Sequence, residues 1–116
     1  MSEDSKTHDG DWTTVCEYDA LVPDLGVRAL IGDSQVAVFR LSGSGQVFAI
    51  DALDPFSNVP VLSRGIVGDL KGQLVVASPI YKHHFNLETG RCLEDDTVAV
   101  RTFEARVVGD HIQVRD

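Results

Sequence analysis

From Trp12 onward the chain reads as short runs of β-branched and aromatic residues, each closed by a turn signal. No amphipathic helix of useful length breaks their succession. Trp12, Thr13, Thr14, Val15 and Cys16 form the first run. Residues 17–26 hold Pro23, Asp24 and Gly26 and read as a connection with room for one helical turn. Residues 27–31 are a strand, turned by Gly32-Asp33-Ser34. In 35–41, Ala37, Phe39 and Leu41 share one face and Val38 and Arg40 the other. Ser42-Gly43-Ser44-Gly45 then turns the chain back into 46–50 as a hairpin. Lys71-Gly72 introduces 73–77, which reads as a buried strand. Residues 97–108 alternate as two strands, or one bent strand, around Thr102 and Phe103. Gly109-Asp110 turns into 111–114, where Ile112 and Val114 are expected inward and His111 and Gln113 outward. Many short strands at such spacing predict an all-β antiparallel sandwich or barrel.

At 116 residues the chain suits one domain with its own core. We expect a disordered polar tail over 1–11 and a single domain over 12–116. Asp plus Glu number 18 against 10 Lys plus Arg, a net charge of −8. That charge repels phosphates, which argues against non-specific nucleic-acid binding and against an anionic membrane surface. It suits docking on a basic patch of another protein. No apolar run reaches the ~18 residues of a membrane span. The acidic, polar start has no apolar segment of the kind a secretory signal carries, so a cytoplasmic protein is expected. Cys16 and Cys92 lie far apart, in no metal-ligand spacing, and read as free, buried thiols.

Two stretches break the strand rhythm. Residues 51–66 hold Pro55 and Pro60 and show no period; the second stretch begins at Ser78-Pro79-Ile80-Tyr81 and ends at a Thr89-Gly90 turn. Long irregular loops in small domains tend to carry function or its relic. Hairpin order would bring both loops to one end of the fold.

These stretches carry a resemblance. Residues 47–51, Asp54-Pro55 and 62–69 resemble the first cluster-loop region of Rieske-type domains. Ser78-Pro79 through Gly90-Arg91-Cys92-Leu93 resembles the second. The resemblance implies a Rieske-like antiparallel β-sandwich or barrel with two loops at one end. In that family the loops read Cys-Pro-His and Cys-Pro-x-His, and two Cys and two His hold a 2Fe–2S cluster. Here Asp54 and Phe56 stand at the first pair of ligand positions, Ser78 and Tyr81 at the second. The Asp-Pro and Ser-Pro wording is similar to one branch, the small subunit of the assimilatory NAD(P)H-dependent nitrite reductase. That likeness implies an accessory subunit that binds a large subunit carrying FAD, sirohaem and an iron–sulfur cluster. The large subunit would reduce nitrite to ammonium, while this chain holds no cofactor and no catalytic residue.

The chemistry of the four positions agrees with a missing cluster. Asp and Ser offer hard oxygen donors, Phe offers nothing, and a Tyr phenol ionises only at about pH 10. Phe56 and Tyr81 are expected to fill the vacated space as a small core. His83 and His84, adjacent on a strand, diverge and cannot chelate one ion. A site joining one of them to Cys92 and Asp54 lacks the converging ligands and supporting shell a metal needs. Lys82, His83 and His84 read instead as an exposed polar tip, and with Arg64 they are the candidate partner contacts. Ser63 and Ser78 sit in no nucleophile elbow, and no phosphate-binding glycine loop occurs. Glu94-Asp95-Asp96 reads as a solvated edge. Two other readings compete: a stand-alone Rieske-type ferredoxin, against which the lost ligands speak, and a non-redox protein-binding domain on the same fold.

Overall fold

The computed structural model describes residues 8–9 and 12–116. Its strands are β1 (His8–Asp9), β2 (Trp12–Glu17), β3 (Gly26–Ile31), β4 (Ser34–Arg40) and β5 (Val47–Asp51), followed by β6 (Ile66–Leu70), β7 (Gln73–Ala77), β8 (His84–Asn86), β9 (Thr102–Val108) and β10 (His111–Arg115). Single 3-10 turns at Tyr18–Ala20 and Leu62–Arg64 are the helical segments among the described residues. Seven strands form one antiparallel sheet in the order β1-β2-β10-β9-β5-β4-β3; β6-β7-β8 form a second, smaller one. The rest of the expected tail lies outside the described residues, but His8–Asp9 pairs with Trp12 and Thr13.

Strand β4 is buried on both faces. Ala37 and Phe39, with Leu41 just beyond the strand, join Leu62, Val76, Phe85 and Leu87 in the core between the two sheets. Val36 and Val38 join Ile31, Phe103, Ile112 and Val114 in a second core. Fully burying an aromatic or branched side chain contributes about 1.5–3 kcal/mol, so the cores fix the register of the strands around β4. Arg40, expected opposite Phe39, is held across a connection: its Nη1 donates to the Tyr18 carbonyl at 2.8 Å and the Leu21 carbonyl at 3.2 Å.

Three expectations are corrected. Gln113 is buried rather than outward, although Ile112 and Val114 face the core as expected. A register shift against β2 falls between Ile112 and Gln113. There the Gln113 amide accepts from Arg106 Nε at 2.9 Å and donates to Thr14 Oγ1 at 3.2 Å. The guanidiniums of Arg106 and Arg115 lie 4.0 and 4.7 Å from the Trp12 ring centroid and close over that face. Second, only Thr102–Val108 of the alternating stretch is strand. The preceding residues are pinned by an Arg91–Ala99 bridge and by the Val100 N–H on the Gly90 carbonyl, 2.8 Å. Third, both cysteines are free, but Cys16 is half-buried and only Cys92 is buried. They belong to different cores, and burial pushes both thiols up.

Candidate functional site: two matched loops

Loops 54–59 and 78–83 meet at one end of the fold and share a single backbone design. In each, the N–H of the first residue bonds the carbonyl of the sixth: Asp54 to Val59 and Ser78 to His83, both 2.9 Å. The N–H of the fifth returns to the carbonyl of the first: Asn58 to Asp54 at 2.7 Å and Lys82 to Ser78 at 3.1 Å. That fifth residue is left-handed in both, with φ 61° at Asn58 and 67° at Lys82. Such a φ is uncommon outside glycine and is sustained by the surrounding hydrogen bonds. The first side chain accepts the N–H two residues on, Phe56 to Asp54 Oδ1 at 2.8 Å and Ile80 to Ser78 Oγ at 3.3 Å. Proline follows in each, with its φ preset for a turn.

The two first residues, both ligand positions of the resemblance, are fully buried and bonded to each other. Ser78 Oγ donates to Asp54 Oδ2 in a short hydrogen bond. Asp54 thereby satisfies one carboxylate oxygen with a backbone N–H and the other with a hydroxyl, which is what a buried carboxylate requires. The bond ties the loops together across the place where two thiolates would be expected.

The aromatic positions part company. Phe56 turns inward against the core between the sheets and stacks on His83, centroids 3.8 Å apart and planes 11° apart; Phe85 lies 6.3 Å from it. Tyr81 does not fill the vacated space: it is 59% exposed and stands edge-on to His83 at 6.5 Å. His83 takes the inner place instead, because it follows the left-handed Lys82 and its ring is laid against Phe56. His83 is therefore half-buried rather than part of an exposed tip. Its Nδ1 and the nearby Ser57 Oγ are buried without a hydrogen-bond partner.

His84 opens β8 and is also half-buried. Glu94 accepts its backbone N–H at 2.8 Å and meets its Nδ1 at 2.6 Å. Burial pushes the Glu94 carboxyl up, but the hydrogen bonds and charge of His84 outweigh it and hold the group below its ordinary value. Glu94 is thus a partner of His84 rather than a purely solvated charge, and no sequence signal links two residues that meet only across the returning loop. The two imidazoles do diverge, one to Phe56 and one to Glu94. Arg64, at the end of the second 3-10 turn, and Lys82 are exposed.

The donor set does not fit a 2Fe–2S cluster. The four positions offer a carboxylate and a hydroxyl already committed to each other, a phenyl ring, and a phenol turned to solvent. Neither thiol lies in the loops: Cys16 is in β2, and Cys92 bridges Phe85 in the core.

The comparisons agree with the loop frame. The model of the Rieske-like [2Fe-2S] domain family matches residues 11–115. The nitrite reductase (NADH) small subunit of Escherichia coli K12 is 47% identical over 104 residues, 90% of this chain and 96% of that one. A crystal structure from Mycobacterium tuberculosis, assigned as an NADH-dependent nitrite reductase small subunit, superposes with a TM-score of 0.88 at 50% identity, covering 90% of this chain and 94% of that one. A segment making up 11% of the nitrite reductase [NAD(P)H] large subunit of Klebsiella oxytoca is 38% identical to 89% of this chain. On a match that runs through both loops and nearly the whole length of the E. coli small subunit, the chain belongs to the Rieske-like [2Fe-2S] domain family, in the branch of the nitrite reductase small subunits.

Proposed function

We propose that the chain is an accessory subunit of nitrite reductase that binds the large subunit and supports reduction of nitrite to ammonium without a cluster of its own. The observation that carries this reading is the buried Asp54–Ser78 bond, which occupies two ligand positions while the loop frame around them is kept. An electron carrier needs a redox centre, and the residues here supply none. The large subunit is the proposed seat of FAD, sirohaem and an iron–sulfur cluster. The K. oxytoca large subunit supports the partnership, since a segment like this chain is part of that same polypeptide. No chemical step is assigned to a residue of this chain. Among the described residues no helix is long and apolar enough to cross a membrane; the proposed location is the cytoplasm, with NAD(P)H and nitrite.

The test is to purify the chain, assay it for iron and acid-labile sulfide, and measure NAD(P)H-dependent nitrite reduction by the large subunit with and without it. We expect no bound iron and a large loss of activity when the chain is left out. Stoichiometric iron with labile sulfide would restore the ferredoxin reading. Full activity of the large subunit alone would sink the accessory role.

A further inference from the structure

The two loops present an apolar face. Among the described residues, five of the ten exposed large hydrophobics are Leu53, Val59, Ile66, Ile80 and Tyr81. Leu53, Val59, Ile80 and Tyr81 lie in or beside the loops; Ile66, the most exposed at 75%, pairs across from Ala77, the residue before the second loop. The Asp54–Ser78 bond and the Phe56–His83 stack hold the two loops side by side, so these side chains share one end of the molecule. Their charge is also unusual. The chain as a whole carries −8, yet between residues 53 and 64 and between 78 and 83 the one carboxylate, Asp54, is buried. The exposed charges of those stretches are Arg64 and Lys82, and among the described residues neither is in an ion pair; carboxylates adjoin the face at its edges, Asp51 lining a pocket with Leu53 and Asp95 interacting with His83.

We infer that this loop end is the surface that docks on the large nitrite reductase subunit, and that its counterpart there is an apolar concavity rimmed by carboxylates. The inference rests on the accessory-subunit reading and adds the surface and the chemistry of its partner. Apolar anchors at the centre of an interface carry most of its affinity, while rim charges act on encounter rate and orientation. Ile66, Ile80 and Tyr81 are the anchors; Arg64 and Lys82 are the steering rim. Crosslinked loops bring the anchors prearranged, so little conformational freedom is lost on docking. His83 and His84, engaged with Phe56 and Glu94, support the face from beneath.

The experiment measures binding of the full chain to the large subunit from the same source by surface plasmon resonance, at two salt concentrations. The variants are Ile66→Glu, Tyr81→Ala, Lys82→Glu and, as a control, Val107→Glu. Val107 is also an exposed branched residue on a strand, but lies about 17 Å of strand away from the Thr102 end of β9. The expected result is a rise in Kd of about 30-fold or more for Ile66→Glu and for Tyr81→Ala. Lys82→Glu should slow association and flatten its salt dependence, and Val107→Glu should bind as the parent chain does. Tyr81 is a solvent-facing loop residue, so its variant tests the surface even if Ile66→Glu disturbs β6. Tip variants that bind within about threefold of the parent overturn the surface while leaving the accessory reading in place. A parent chain that does not bind at all overturns the accessory reading itself.

Discussion

The buried bond between Ser78 and Asp54 is the contact on which the loop end most depends, and its removal should be felt by the whole fold. In Ser78→Ala the Asp54 Oδ2 loses its donor at a position with no access to water. A hydrogen bond to a charged group is worth about 1.5–3 kcal/mol, and an unsatisfied buried acceptor keeps its full desolvation cost. The Ile80 N–H also loses its 3.3 Å contact with Ser78 Oγ, a long and weak one. Together these place the loss at about 2.5 kcal/mol. For a chain of 116 residues, unfolding entropy of about 2.1 cal/mol/K per residue gives roughly 0.24 kcal/mol/K. The expected fall in Tm is therefore about 10 °C. Urea unfolding at neutral pH of the parent, Ser78→Ala, Asp54→Ala and the double variant completes a double-mutant cycle. Asp54→Ala should cost more than Ser78→Ala, because it also strips the acceptor from the Phe56 N–H. The double variant should cost less than the sum of the two by about 1.5 kcal/mol or more, the coupling of a direct bond. A Ser78→Ala loss under about 0.5 kcal/mol, or additivity across the cycle, would show that the bond does not hold the loops together.

Two further outcomes are expected. Because both loops use one backbone design, exchanging their first residues (Asp54→Ser with Ser78→Asp) should recover most of the stability that either single change loses; a double variant no better than the worse single one would refute the equivalence of the loops. Glu94 is held below its ordinary pKa of 4.5 by His84, so its contribution to stability is present above that pH and is lost as the pH falls through the folded-state value. Glu94→Gln should accordingly be less stable than the parent at pH 7, with the gap in urea midpoint narrowing as the pH falls below 4.5; a gap that is constant with pH would remove the pair from the account.

Much of the succession of strands along the chain was legible because its signals are local, whereas the order of strands in the two sheets and the strands Ile66–Leu70 and His84–Asn86 were not read. Turns such as Lys71-Gly72 and Gly109-Asp110 announce themselves, and strict alternation places Ile112 and Val114 in the core. The loop frame was legible too, since Asp-Pro and Ser-Pro are turn chemistry as well as family wording. What escaped depends on neighbours remote in sequence. Gln113 reads as outward until Arg106 and Arg115 fold over Trp12 and cover it. His83 and Tyr81 exchange their expected places because the left-handed turn at Lys82 re-aims the chain, and a positive φ at lysine has no signature in the sequence. His84 and Glu94 meet across a loop closed by the Leu93 N–H on the His84 carbonyl, 2.9 Å, a contact that strand periodicity does not encode.

The pattern of replaced ligand positions follows from what each place in the loop demands. The first place needs a short side chain with an acceptor for the N–H two residues on, and it is closed to water, so any charge there needs a donor as well. Asp54 and Ser78 meet both conditions through each other: one supplies the charge and two acceptors, the other a single donor. Two aspartates would set like charges together in a dry site, and two serines would make a weaker neutral bond. The later places face either the core or the solvent. Phe56 answers the first condition by burial, Tyr81 the second by exposure beside Ile80. A loop pair without thiolates at its first places would loosen unless something else joined it. Here the first places rejoin it from within, which leaves the outward places open to specialise for contact with another chain.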